Sequence, residues 1–207
     1  MTTPIKLHRH PLSGHSHRVE LFLNLAGIRH ELVEIDLAAG EHKSPAFLAL
    51  NLFGQVPVIQ DEDVTLADSN AILTYLAERY APDWYGEDAL ARAEIQRFLS
   101  IAAGPIAYGP AAARLVNVFG AQIEAKRPVE IAHWVFERLD KHMKYRDWLV
   151  GDTPSIADIA IYSYTAHAPE GDVSLNGYPY LRALLERVEG LPGFKPMQAS
   201  AVGLAAA

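Results

Sequence analysis

Gln55-Val56-Pro57, followed eleven residues on by Asp68-Ser69-Asn70-Ala71-Ile72, is the stretch that decides the reading of this chain. A proline at the head of a short apolar strand, Val56 to Ile59, has no N–H to give to a ladder, so it belongs at a strand end or an edge. There it leaves the amide and carbonyl of Val56 free to pair with the backbone of a ligand. Asp68 opens the periodic run Ile72, Tyr75, Leu76, Arg79, which predicts an amphipathic helix with polar capping residues at its positive end. An ammonium on Asp68 and a carboxylate on Ser69 and the nearby helix amides both fit that end. The two segments together predict a site for a short peptide.

Working outward, Ile5-Lys6-Leu7-His8 alternates as a strand, and Pro11, Ser13 and Gly14 mark a turn. Val19, Phe22, Leu23 and Ala26 recur at helical spacing, with Gly27 as the stop. His30 to Ile35 is a second strand, and Gly40 to Ser44 a polar loop before a brief helical turn at Pro45 to Leu50. Val56 to Ile59 and Val64 to Leu66 flank Asp61-Glu62-Asp63 as a hairpin, and Asp68 to Tyr80 closes the unit as a helix. The order is βαβαββα, a thioredoxin-like α/β domain whose parallel strands require a helical crossover.

Ala81-Pro82-Asp83-Trp84-Tyr85-Gly86 interrupts the periodicity, and everything after it reads as helical. The predicted division is a thioredoxin-like domain over 1–80, a linker over 81–88 and an all-α domain over 89–207. Within the latter, Ala91 to Phe119 is a long apolar run in which Gly104-Pro105 and Gly109-Pro110 are expected to kink or divide the helix. Further helices are expected at Pro128 to Trp148, Ser155 to Ala166 and Pro179 to Val188.

Composition narrows the function. The 207 residues are 50% hydrophobic, enough apolar material for a core in each of two modest domains. The formal net charge is -7, from 25 acidic and 18 basic residues with no basic run, which argues against a nucleic-acid partner. No apolar stretch approaches the roughly 18 residues of a membrane span, and no signal-like start is present, so a cytoplasmic protein is expected. Cysteine is absent. A thioredoxin-like fold without it cannot run dithiol exchange or attack through its own sulfur.

The stretches Ser13-Gly14-His15-Ser16-His17-Arg18-Val19, Asn51-Leu52-Phe53-Gly54-Gln55-Val56-Pro57, Asp68-Ser69 and Ser155-Ile156-Ala157-Asp158 occur in the order found in the cytosolic glutathione transferases, and the chain resembles that family along its whole length. The family usually has Pro where this chain has Leu52. The resemblance implies glutathione as co-substrate without a metal, a homodimer, and a detoxifying conjugation of the glutathione thiolate to a hydrophobic electrophile. The first tyrosine is Tyr75, far from the first turn, so the tyrosine-type classes fit poorly and a serine-type site is expected. The first turn is similar to that of the zeta class, in which a serine precedes the Arg-Val pair by the spacing that separates Ser13 from Arg18-Val19. The zeta pattern carries Cys where this chain has His15. Alternatives are glutathione-dependent cis-trans isomerisation of the maleylacetoacetate type, or a non-catalytic binding or scaffold protein of the same fold.

Ser13, between the first strand and the first helix, is the candidate for thiolate stabilisation. A thiol of pKa about 8.5 needs roughly 2.7 kcal/mol to be brought two units lower. One hydrogen bond to a charged group, about 1.5–3 kcal/mol, and a helix-terminus contribution of about 0.3–1 kcal/mol cover that amount. Ser16 is the competing serine, and His15 is read as an exposed helix-start residue. Val56, Pro57, Asp68 and Ser69 are assigned to glutathione, with Lys43 for its glycine carboxylate and His42 as the alternate. Tyr108, Ala112, Leu115 and Tyr164 are candidates for the electrophile pocket. Asp158, at capping-box spacing from Ser155, is assigned to folding. His8, His10, His15 and His17 are rejected as metal ligands, because no cysteine or recurring carboxylate joins them and His15 and His17 diverge on a helix.

Overall fold

A computed structural model describes residues 3–204 of the chain. Strand β1 (Ile5–Arg9) buries Ile5 and Leu7 and leads through a turn into helix α1 (Gly14–Leu25), which stops two residues before Gly27 at φ 65°. β2 (His30–Glu34) runs parallel to β1, with Leu7 opposite Leu32, so α1 is the crossover that a parallel pair demands. A 3-10 turn at Glu41–Lys43 precedes α2 (Pro45–Leu50), which Ser44 caps by accepting from Phe47 N. β3 (Val58–Asp61) and β4 (Val64–Ala67) form the expected hairpin, and α3 (Ser69–Tyr80) follows. β3 runs antiparallel to β1, giving a four-stranded mixed sheet in the order β2-β1-β3-β4.

The strand expected at Val56 begins at Val58 instead, because Pro57 has no N–H to offer and stands just outside the ladder. The Val56–Pro57 bond is cis. One face of the sheet packs against α1 and α3. The other carries a small cluster of Ile35, Phe47 and Val58, which seats α2.

The helical domain comprises α4 (Ala89–Ile101), α5 (Ala112–Phe119), α6 (Lys126–Met143), α7 (Ile156–Ala166) and α8 (Pro179–Glu189). Pro105 and Pro110 do not break the chain between α4 and α5. Ala102–Ala111 winds instead as a π-helix continuous with both, a wider turn that accommodates the two prolines. α6 ends at Met143, short of the expected Trp148, where the His142 ring meets the Leu149 carbonyl at 2.9 Å and draws the chain back. α7 is the central buried helix and opens on a capping box: Ser155 caps its start, while Asp158 accepts from Ser155 N at 2.8 Å and from Leu149 N at 2.9 Å. One apolar core runs through both domains, from Val19, Phe22 and Leu73 to Phe98, Leu99, Ile156 and Ile159. That continuity fixes the helical domain against the end of α1 where the site lies.

Candidate active site

The loop from β1 to α1, the turn before β3, the N-terminus of α3 and the π-helix with α5 enclose a cleft of about 1010 Å³. Ser13, Lys43, Val56, Pro57, Asp68, Ser69, Leu115 and Tyr164 all line it. Tyr108 and Ala112 do not. The π-helix turns a different set of residues inward than a regular helix would, so Ala107 and Ala111 face the cleft while Tyr108 is 69% exposed.

Ser13 is the N-cap of α1 and accepts from Ser16 N at 3.2 Å, which sets its oxygen at the positive end of the helix. Ser16 is fully buried, accepts from His10 N at 3.3 Å and does not line the cleft. His15 is half-buried rather than exposed. Its Nδ1 lies 3.3 Å from Ser69 Oγ and its ring packs edge-on against Tyr164. Burial, with the adjacent Arg18 charge, pushes its pKa down to about 3, so His15 is neutral at physiological pH and a weak base. The other N-terminal histidines point to separate partners: His8 to Gln60, His10 to Leu12 N, and His17 to Ser163 and the Lys195 carbonyl.

Asp68 sits at φ 72°, ψ 120°, a conformation that L-residues rarely adopt. That backbone lets one carboxylate oxygen, Oδ1, cap α3 by accepting from Asn70 N and Ala71 N, each at 2.9 Å. Its other oxygen has no hydrogen-bond partner among the described residues. The backbone N–H and C=O of Val56 are likewise unpaired among the described residues. Lys43 Nζ donates to the Phe53 and Gly54 carbonyls at 3.1 Å each, and His42 lines the same end of the cleft. Polar groups capable of holding both ends and the middle of an extended peptide therefore share one face.

Two arginines that sequence reasoning passed over complete the site. Arg18, fully buried, donates to Asn70 Oδ1 at 2.8 Å and to Ser69 Oγ at 3.3 Å, and its guanidinium lies 5.8 Å from the Tyr164 ring centre. Burial lowers its pKa to about 10, against the opposing pull of Tyr164 and Asp68, so it keeps its charge at neutral pH. Arg114, also buried and lining the cleft, reaches the Leu12 carbonyl and pairs with Glu170. Arg114 is a lone cation in the apolar run Ala111 to Val116, a pattern that itself signals a partnered buried charge, whereas Arg18 lies among polar residues and carries no such signal. The Arg114 charge is met by Glu170, so Arg18, bonded to Ser69, is the cation whose field favours an anion at that end of the cleft.

Residues 12–79 match the family model described as Glutathione S-transferase, N-terminal domain, and residues 102–192 match the corresponding C-terminal domain. Glutathione S-transferase 3 of Zea mays is 30% identical over 93% of this chain and 92% of its own length. The chain belongs to the glutathione S-transferase family. A maleylacetoacetate isomerase of Pseudomonas aeruginosa is 31% identical over 92% of this transferase and 94% of its own length. The crystal structure of a possible glutathione transferase from Rhodopseudomonas palustris superimposes with a TM-score of 0.88 at 30% identity, over 94% of this chain and 98% of that one. The transferase thus has the thioredoxin-like and all-α domains expected of it. Among the described residues, no helix is long and apolar enough to cross a membrane.

Proposed function

We propose that this transferase conjugates the thiolate of glutathione to hydrophobic electrophiles, with Ser13 donating a hydrogen bond to the sulfur. The observation that carries the reading is that Ser13, Val56-Pro57 and Asp68-Ser69 line one cleft whose lining also includes the apolar Leu12, Ala107, Leu115 and Phe119. In this reading Asp68 takes the γ-glutamyl ammonium and Ser69 the adjacent carboxylate. The Val56 backbone pairs with the cysteinyl unit, and Lys43, with His42 beside it, meets the glycine carboxylate. The α1 N-terminus and the Arg18 charge add to the field that favours thiolate over thiol. Catalysis is nucleophile activation and proximity. Glutathione lies on residues 1–80, the electrophile against 89–207, with 81–88 joining them, in a cytoplasmic homodimer.

The test is calorimetric titration with glutathione, followed by conjugation of a chromogenic aryl halide. Micromolar to millimolar binding with turnover is expected; absence of binding overturns the reading. A second reading, isomerisation of a cis-enone with glutathione returned unchanged, is favoured by the 31% identity to the Pseudomonas aeruginosa isomerase. Turnover of such a substrate without loss of free thiol distinguishes it from conjugation.

A further inference from the structure

Gly14 has an ordinary backbone conformation, so its lack of a side chain is not explained by φ. A Cβ built there would stand 2.7 Å from both Cε1 and Cζ of Tyr164. The glycine is what lets a tyrosine of α7, in the helical domain, pack directly against the first turn of α1. Its hydroxyl then accepts from His15 N at 3.3 Å, and the Ser13 side chain lies close enough to interact with it. Tyr164 is 7% exposed yet lines the cleft. Its oxygen takes the His15 hydrogen bond while facing the Ser13 side chain at the thiol end of the cleft. Besides Ser13, the groups facing it are His15 and Arg18 from α1 and Arg114 from α5, a neutral ring and two cations, none of which carries a negative charge that would take up its proton.

We propose that the Tyr164 hydroxyl is a second hydrogen-bond donor to the glutathione thiolate, supplied by the helical domain to the site at Ser13. No bond is made or broken by Tyr164: its proton is shared with the sulfur anion and stays on oxygen, while the proton lost by the thiol goes to solvent. The tyrosine is thus assigned to the thiol end of the cleft and not to the electrophile pocket. The assignment rests on the glutathione reading above.

Tyr164→Phe keeps the ring over Gly14 and removes only the hydroxyl. The bound thiol should become harder to ionise by about one to two units, with conjugation below neutral pH falling roughly 10- to 100-fold and recovering in alkali. Glutathione KM should change less than threefold. The measurements are thiolate absorbance of the binary complex against pH and the pH profile of kcat, for wild type, Tyr164→Phe, Ser13→Ala and the double variant. A further rise in thiol pKa when Tyr164→Phe is added to Ser13→Ala supports a direct donor. No further rise overturns it, because Tyr164 would then act only by seating Ser13. A wild-type profile in Tyr164→Phe also overturns it and leaves the glutathione reading standing, whereas a wild-type protein that binds no glutathione ends both.

Discussion

Arg114 Nη1 donates to the carbonyl of Leu12 across 2.7 Å, so a cation of the helical domain holds the residue that precedes Ser13. The same guanidinium donates through Nε to the Glu170 carboxylate, which also accepts from Ser200 N at 2.8 Å. Burial alone would raise the Glu170 carboxyl, but the hydrogen bonds from Ser200 and Arg114 outweigh it and hold it below the usual range. Arg114→Met strands that buried carboxylate and should cost about 3–5 kcal/mol of stability. Arg114→Met/Glu170→Leu should recover most of the loss. Urea unfolding of the single and double variants checks this, and an additive double variant would refute the pairing.

Ser13→Ala should act on ionisation more than on affinity, since the hydroxyl meets one atom of a ligand held elsewhere by Val56, Asp68 and Ser69. Loss of a charge-assisted hydrogen bond of about 1.5–3 kcal/mol should slow conjugation near neutral pH by roughly 10- to 100-fold, with recovery as pH rises. Ser16→Ala, which empties a buried acceptor of His10 N, should lower stability and leave the pH profile in place. The reverse pattern would move the activating hydroxyl to Ser16.

Asp68→Asn isolates charge from backbone, because asparagine also tolerates positive φ and also caps. Its fold should persist while glutathione binding weakens by about 1–3 kcal/mol, roughly 5- to 150-fold in the dissociation constant. Calorimetry decides: unchanged affinity would remove Asp68 from the ammonium.

His17 supplies a pH dependence of stability. Burial, which outweighs the hydrogen bond to the Lys195 carbonyl, lowers its pKa from 6.5 to about 4 in the folded chain. The unfolded chain therefore binds the extra proton first. The contribution is complete above pH 6.5 and is lost as pH falls through 4, with up to about 3 kcal/mol at stake. His15 acts in the same direction over a range reaching lower. His17→Gln should be less stable at pH 7 and show a shallower decline between pH 6.5 and 4 in urea midpoints. An unaltered slope would assign that decline to His15 and the remaining histidines.

Periodicity and turn chemistry carried most of the architecture: the βαβαββα order, the caps at Asp68 and Ser155, and the extent of α7 are all local features that propensity and spacing encode. Boundaries slipped where one atom decided them, as when the missing N–H of Pro57 moved the start of β3 to Val58. The two prolines after Ile101 gave the wrong expectation because proline's effect was judged against α-helical bonding, whereas the π winding changes both the bonding and the facing. Tyr108 and Ala112 left the cleft lining for that reason. Tyr164 illustrates a different limit. A tyrosine in an apolar helix and a glycine in a turn 150 positions earlier look unrelated until folding brings one against the other.

The π winding of Ala102–Ala111 also makes segment length a control on the pocket. Each residue of a regular helix advances the next by about 100°. Deleting or adding a single residue in that stretch would swing α5 around its own axis by about a third of a turn, carrying Leu115 and Phe119 off the cleft and Arg114 off Leu12, with no substitution anywhere in the site. Relatives that differ by one residue here would present a different wall to their electrophiles and would need another anchor for Leu12 and the Ser13 turn, so register alone reshapes specificity.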